Sequence, residues 1–161
     1  MNCKYDDQIL VYGREVQEKL TKIRTFMIGA GALGCEFVKA FALMGVGCSA
    51  EGKVTVTDND NIEVSNLNRQ FLFRKNNVGE SKSKVACSIA ADINRDLNVQ
   101  AHKLYVAQET EHVFNDDFWE NLHFVVNAVD NIKARLYVDS RCVWYAKPLL
   151  ESGTLGTKAN S

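Results

Sequence analysis

Arg69 and Lys82 set two cations thirteen positions apart, and Asp130 places a carboxylate just after the apolar run His123–Val129. These residue types suit the transfer of a nucleotidyl group. Adenylation builds negative charge on a five-coordinate α-phosphorus and on departing pyrophosphate, and pre-placed guanidinium and ammonium donors lower that barrier. A carboxylate at the C-terminal end of a buried strand suits Mg²⁺, which prefers oxygen ligands and substrate phosphates. Upstream, Gly29-Ala30-Gly31-Ala32-Leu33-Gly34 lies between the apolar run Thr25–Ile28 and a helix-favouring stretch. Gly29 and Gly31 let the backbone turn tightly and approach a ligand, and Gly34 allows close helix–sheet packing. The helix that follows offers free N–H groups and a positive dipole end to an anion.

Asp58 or Asp60, after the second apolar run, fits the usual acidic ribose anchor. The glycine loop and this acidic turn alone are equally explained by an NAD-dependent oxidoreductase. Arg69 with Lys82 favours a triphosphate instead, and no His–Asp or Tyr–Lys pair stands out for hydride chemistry. Each residue also has an ordinary structural alternative. Arg69 can be a surface cation, Lys82 a solvated lysine at a helix start, Asp130 a helix cap and Asp58 a turn former. A third class, a non-catalytic interaction module keeping the fold without the chemistry, is disfavoured by the joint presence of Asp58, Arg69, Lys82 and Asp130.

The elements that must hold these residues alternate between strand and helix. Arg24–Ile28, Lys53–Thr57, Val99–Tyr105, His123–Val129 and Pro148–Glu151 read as strands. Leu33–Met44, ending at Gly45 and Gly47, reads as a helix with a left-handed cap. Ser81–Asn94, with a stripe of Val85, Ile89, Ala90 and Ile93, and Asn131–Tyr145, with Asn131 as N-cap, read as two more. Tyr5–Lys22 carries one or two helices with a break at Gly13. The pattern predicts an α/β, Rossmann-like nucleotide-binding fold with a mostly parallel sheet flanked by helices, and N-terminal helices before the first strand. Residues 1–161 are expected to form a single domain, with 1–23 as an N-terminal helical segment and the sheet cut short at the C-terminus.

Composition narrows the partners. A net charge of −1 provides no basic footprint for nucleic acid. No apolar run approaches a membrane span, and Met1–Asp6 does not resemble a signal peptide. The five cysteines (Cys3, Cys35, Cys48, Cys87, Cys142) are odd in number and contain no CxxC pair, which argues against a zinc ribbon or a disulfide framework. Free thiols suit a reducing cytoplasm or nucleus. Cys35, Cys87 and Cys142 read as packing residues, Cys3 and Cys48 as exposed, and His102, His112 and His123 as structural.

The runs GAGALGCE (Gly29–Glu36), TDND (Thr57–Asp60), SNLNRQFLF (Ser65–Phe73), NAVDN (Asn127–Asn131) and ESGTLGTK (Glu151–Lys158) resemble the ubiquitin-activating enzymes, within the wider ThiF-like family that adenylates ubiquitin-like proteins. The resemblance spans essentially the whole chain and corresponds to the first part of the active adenylation domain. It implies that a ubiquitin C-terminal carboxylate attacks the α-phosphate of Mg·ATP, after which a cysteine thiolate takes the acyl group for transfer to a conjugating enzyme. Carried over by position, Gly29, Gly31, Ala32, Gly34, Asp58, Asp60 and Gln70 contact the nucleotide. Asn66 and Arg69 hold phosphates, Lys82 reaches the triphosphate and Asp130 coordinates Mg²⁺. Glu151–Lys158 lines the route of the incoming tail.

Two departures accompany the match. Simpler relatives carry Tyr-x-Arg-Gln near the N-terminus, with an arginine that reaches ATP. Here Tyr5-Asp6-Asp7-Gln8 has Asp7 in that place. The resemblance implies that the missing cation comes from an inactive adenylation half of the parent enzyme. It also implies that the thioester cysteine lies in a separate domain outside this chain, so none of the five cysteines takes that role.

Overall fold

The computed structural model describes residues 3–155 and 158–160, with side chains through 153. Five strands, β1 (Arg24–Ile28), β2 (Lys53–Thr57), β3 (Val99–His102), β4 (Phe124–Asn127) and β5 (Leu149–Glu151), form one sheet in the order β3-β2-β1-β4-β5. All four pairings are parallel. After β3 the chain crosses to the far side of β1, so the topology reverses between β1 and β4. In open parallel sheets the crevice at that reversal, beyond the strands' C-terminal ends, is where ligands bind.

Side chains of β1 alternate between two cores, as a pleated strand buried on both faces requires. Met27 joins the layer formed with α3 (Ala32–Met44) and α4 (Lys82–Ile93), together with Val54, Val56 and Val126. Phe26 and Ile28 face the opposite layer, with Val125, Val138 and Cys142. There Phe26 meets the rings of Phe114 at 4.8 Å, Phe118 at 4.9 Å and Trp119 at 5.8 Å. Trp119 sits on α5 (Asp116–Glu120), and Val138 and Cys142 are the buried residues of α6 (Ile132–Trp144).

Before the sheet, α1 (Asp6–Tyr12) and α2 (Arg14–Thr21) are separated at Gly13, whose φ of 87° needs glycine. Gln8 and Gln17 both donate to the Met44 carbonyl at the end of α3. Gly45 closes α3 in the left-handed conformation, and Asn131 caps α6 by accepting from the Lys133 N–H at 2.9 Å.

Several expectations change in detail. The third strand ends at His102, because the chain then leaves the sheet and Thr57 donates its hydroxyl to the Leu104 carbonyl. Ile93 is 39% exposed, although Ala90 and Asn94 beside it are buried. Cys48 is half-buried, with its sulfur 3.3 Å from the Asn94 amide nitrogen. The α5 helix and its aromatic cluster were not anticipated. A short antiparallel pair, β6 (Gly153–Leu155) with β7 (Lys158–Asn160), follows the sheet. In the expected tail route, Gly156 and Thr157 lie outside the described residues, as do Met1, Asn2 and Ser161. Among the described residues, no helix is long and apolar enough to cross a membrane.

Candidate functional site

A cavity of about 1150 Å³ opens at the topological reversal. Its floor is the glycine loop between β1 and α3. Gly29 has φ of 97°, and a Cβ there would lie 2.6 Å from the Ala128 carbonyl oxygen. This glycine therefore serves the approach of the β4 backbone as well as any ligand. Gly34 lies beneath the loop rather than on the cavity wall; a Cβ on it would meet the Gly29 carbonyl oxygen at 2.1 Å. Gly31 is different. It lines the cavity, and the nearest atom to a Cβ there is the Gln70 amide nitrogen at 3.9 Å. The first bond of α3 runs from the Cys35 N–H to Gly31 O, and no side chain caps this end. The N–H groups of Ala32 and Leu33, both on the wall, are thus unpaired within the helix and available to an anion.

Asp58 follows β2 and ties the loop down. One carboxylate oxygen accepts from the Ala30 N–H at 2.7 Å, the other from the Asp60 N–H at 2.8 Å. Burial pushes the Asp58 carboxyl above its usual range, and these two backbone donors oppose that rise. The turn-former alternative is thus half of its role; the other half is to fix the glycine loop.

The segment after Asp60 folds back on itself. Asn61 bridges Ser81, Ile62 N–H donates to Glu80 O, and Lys82 N–H donates to Asp60 O at 3.1 Å. This return brings Lys82, the first residue of α4, against the Asp60 carboxylate at 2.7 Å. Lys82 is only 8% exposed, so it is not a solvated helix-start lysine. Within the excursion, Glu63 and Asn66 close a 3-10 turn (Val64–Asn66), with Asn66 Oδ1 accepting from the Glu63 N–H at 2.9 Å. Arg69 is exposed on the cavity wall, its Nη1 donating to Ser65 O at 2.8 Å. Gln70 also lines the wall, is 4% exposed, and its Oε1 has no protein partner.

Asp130, after β4, is exposed on the opposite wall. Because Asn131 caps α6, the capping alternative for Asp130 falls away. The structure thus gathers Gly29, Gly31, Ala32, Asp58, Asp60, Asn66, Arg69, Gln70, Lys82 and Asp130 around one cavity and leaves out Gly34. Asp7 is exposed on α1 and does not line the cavity. Arg135, Glu151, Ser152 and Gly153 complete the far end. Sequence reading did not single out Arg135.

The donor set tests which ligand fits. The wall carries five carboxylates (Asp58, Asp60, Glu63, Asp130, Glu151) against three cations (Arg69, Lys82, Arg135). A triphosphate would meet this excess of negative charge, and a divalent cation bound with it would reduce the repulsion. Among the described residues no group of three or more His, Cys, Asp or Glu side chains forms a metal cage.

The model of the ThiF family matches residues 5–161. Over 160 residues the chain is 62% identical to "Ubiquitin-activating enzyme E1 2" of Arabidopsis thaliana, covering 99% of this chain and 15% of that protein. Over 157 residues it is 54% identical to mouse (Mus musculus) "Ubiquitin-like modifier-activating enzyme 1", covering 98% of this chain and 15% of that protein. The chain thus spans about 15% of the length of these curated relatives. Among solved structures, E. coli tRNA N6-threonylcarbamoyladenosine dehydratase, TcdA, in complex with ATP superposes with a TM-score of 0.83. It is 22% identical, and the match covers 96% of this chain and 61% of that one, which bears on the fold alone.

Proposed function

The chain belongs to the ThiF family, and on that premise we propose that it forms the Mg·ATP-binding part of an enzyme that adenylates the C-terminal glycine of ubiquitin. One observation carries this reading most: Lys82, Arg69 and Asp130, far apart in sequence, lie around one cavity floored by the glycine loop. The high identity to ubiquitin-activating enzymes supports the choice of acyl substrate.

In the proposed reaction a carboxylate oxygen bonds to the α-phosphorus as the bond to pyrophosphate breaks. The N–H groups at the start of α3 receive phosphate oxygens, and Asp58 keeps the loop in place from below. Lys82 and Arg69 take up charge that develops on the phosphates. Asp130 would hold Mg²⁺, which when bound would offset part of the triphosphate's charge and draw charge from the leaving group. The Gln70 amide, short of a partner, receives a polar group of the nucleotide.

The acyl-accepting thiol is assigned to a separate domain of the parent enzyme. Burial pushes the thiols of Cys35 and Cys142 up to about 11 and that of Cys87 to about 12, the reverse of what a thiolate nucleophile needs. The parent's inactive adenylation half supplies the cation missing at Asp7, and conjugating enzymes receive the product. Five free cysteines agree with a cytoplasmic and nuclear setting.

Thermal unfolding of this chain with Mg·ATP, with ATP plus chelator and with NAD tests the site, beside Asp130→Ala. Ligand at ~100 times its dissociation constant adds about 2.7 kcal/mol, a rise of several degrees at this size. Stabilisation by Mg·ATP that weakens without metal or without Asp130 is expected. Stabilisation by NAD alone would overturn the proposal.

A further inference from the structure

Arg135 lies at the end of the first turn of α6 and reaches back across the ends of two strands. Its Nε donates to the Val129 carbonyl at 2.9 Å and its Nη2 to the Ser152 carbonyl at 3.0 Å. Glu151 Oε1 stands 3.2 Å from Nε, off the axis of the bond to Val129, while Glu151 Oε2 accepts from the Asn127 amide at 2.9 Å. Asn127 is fully buried at the end of β4. A Cβ on Gly153 would lie 2.3 Å from Nη2, so the backbone after β5 passes directly against the guanidinium.

β4 and β5 are paired only as far as Asn127 and Glu151. Beyond that point one backbone bond remains, from the Ser152 N–H to the Asn127 carbonyl at 3.2 Å, and the guanidinium bridges the carbonyls of Val129 and Ser152, two acceptors that no backbone bond could join. A planar fork serves two carbonyls at once while its charge stays beside the Glu151 carboxylate; a lysine ammonium has no such fixed geometry. Arg135 lines the cavity with its Nε and one Nη2 proton bonded to backbone carbonyls and its charge matched by Glu151. Its bonds run to the backbone beyond both strand ends, whereas Lys82 is paired with the Asp60 side chain and Arg69 with its own segment.

We propose that Arg135 is a positioning residue for the metal end of the site: by clamping Val129 to Ser152 it fixes the backbone that carries Asp130. The clamp rests on the nucleotide reading above, deepens it, and concerns one wall only. The glycine loop, Asp58 and Lys82 form the other wall and share no hydrogen bond with Arg135 among the described residues.

The test uses the chain with Arg135→Lys and Arg135→Gln. Calorimetry measures the affinity for Mg·ATP and for ATP with chelator, and hydrogen exchange without ligand follows residues 128–131 and 151–153. Both variants are expected to bind Mg·ATP about ten- to a hundredfold more weakly, the usual consequence of losing a group that orients a metal ligand. Metal-free ATP should change little, and exchange should quicken at 128–131 while the glycine loop keeps its protection. Full rescue by lysine, equal loss of both ATP forms, or unchanged exchange at 128–131 would each overturn the clamp. If the unaltered chain binds no ATP, the nucleotide reading fails; the exchange measurement still decides whether Arg135 holds this segment.

Discussion

Two glycines three residues apart should respond oppositely to the same substitution, because one faces protein and the other faces the cavity. In Gly34→Ala the new methyl lies 2.1 Å from the Gly29 carbonyl oxygen and 2.9 Å from its carbon. Both sides of that contact are backbone, so the loop and α3 must separate by about 1 Å in an interior packed like a crystal. Strain of about 3–4 kcal/mol, at or just above the upper end for overpacking, is offset by the ~1 kcal/mol by which alanine outranks glycine within a helix. The net loss is about 2–3 kcal/mol, a fall in Tm of roughly 5–10 °C at this length. In Gly31→Ala the backbone has φ of −78°, and the nearest atom stands at 3.9 Å. Stability should hold or rise by about 0.4–1 kcal/mol, since alanine narrows the unfolded ensemble. Its methyl enters the space proposed for phosphates, so Mg·ATP affinity should fall at least about tenfold, or 1.4 kcal/mol. Urea unfolding followed by circular dichroism, with calorimetric titration of Mg·ATP, separates the two effects. Equal stability losses in both variants, or unimpaired binding by Gly31→Ala, would refute this division of labour.

Lys82→Met should weaken Mg·ATP by about tenfold or more and leave the fold intact, because its partner Asp60 is 66% exposed at the side chain and can be hydrated; wild-type affinity in a titration would remove Lys82 from the site. The cysteines give a pH signature. Cys35, Cys87 and Cys142 ionise in the folded chain only at about 11, 12 and 11, against 9.0 for an unperturbed thiol. Folded pKa values raised above the unfolded ones mean that stability is retained below pH 9 and lost as pH climbs towards 11–12, where the unfolded chain releases protons first. A urea midpoint that rises across that window would contradict the burial of these thiols. At pH 8, alkylation followed by mass mapping should mark exposed Cys3 first and leave the three buried thiols unmodified.

The sequence by itself determined the order and type of nearly every sheet and helix element. β1 and β2 match their expected bounds residue for residue, and α3 and α4 differ by a residue at their ends. These are local signals: alternating apolar runs, a glycine that adopts the left-handed cap at Gly45, and an asparagine that accepts at the start of α6. The residue types around the cavity were legible in part for the same reason, since the glycine loop and the acidic turn each occupy a contiguous run.

Tertiary structure decided what those residues touch. The solvated-lysine alternative for Lys82 stayed open in the sequence because its partner Asp60 is brought to it only when the intervening segment returns and Asn61 bridges Ser81. Gly34 read both as a packing glycine and as part of the ligand loop, and the structure keeps only the first role: it lets α3 pass against the Gly29 carbonyl, off the cavity wall. α5 was illegible because a five-residue helix has little periodicity of its own; what holds it is the packing of Phe114, Phe118 and Trp119 on Phe26, from a strand some ninety residues earlier. Arg135 carried no motif either. Its meaning comes from the parallel register that sets Asn127 beside Glu151, so that one planar side chain can span two strand ends. Local propensity writes the elements into the chain, whereas contacts between distant residues exist only once the register is fixed.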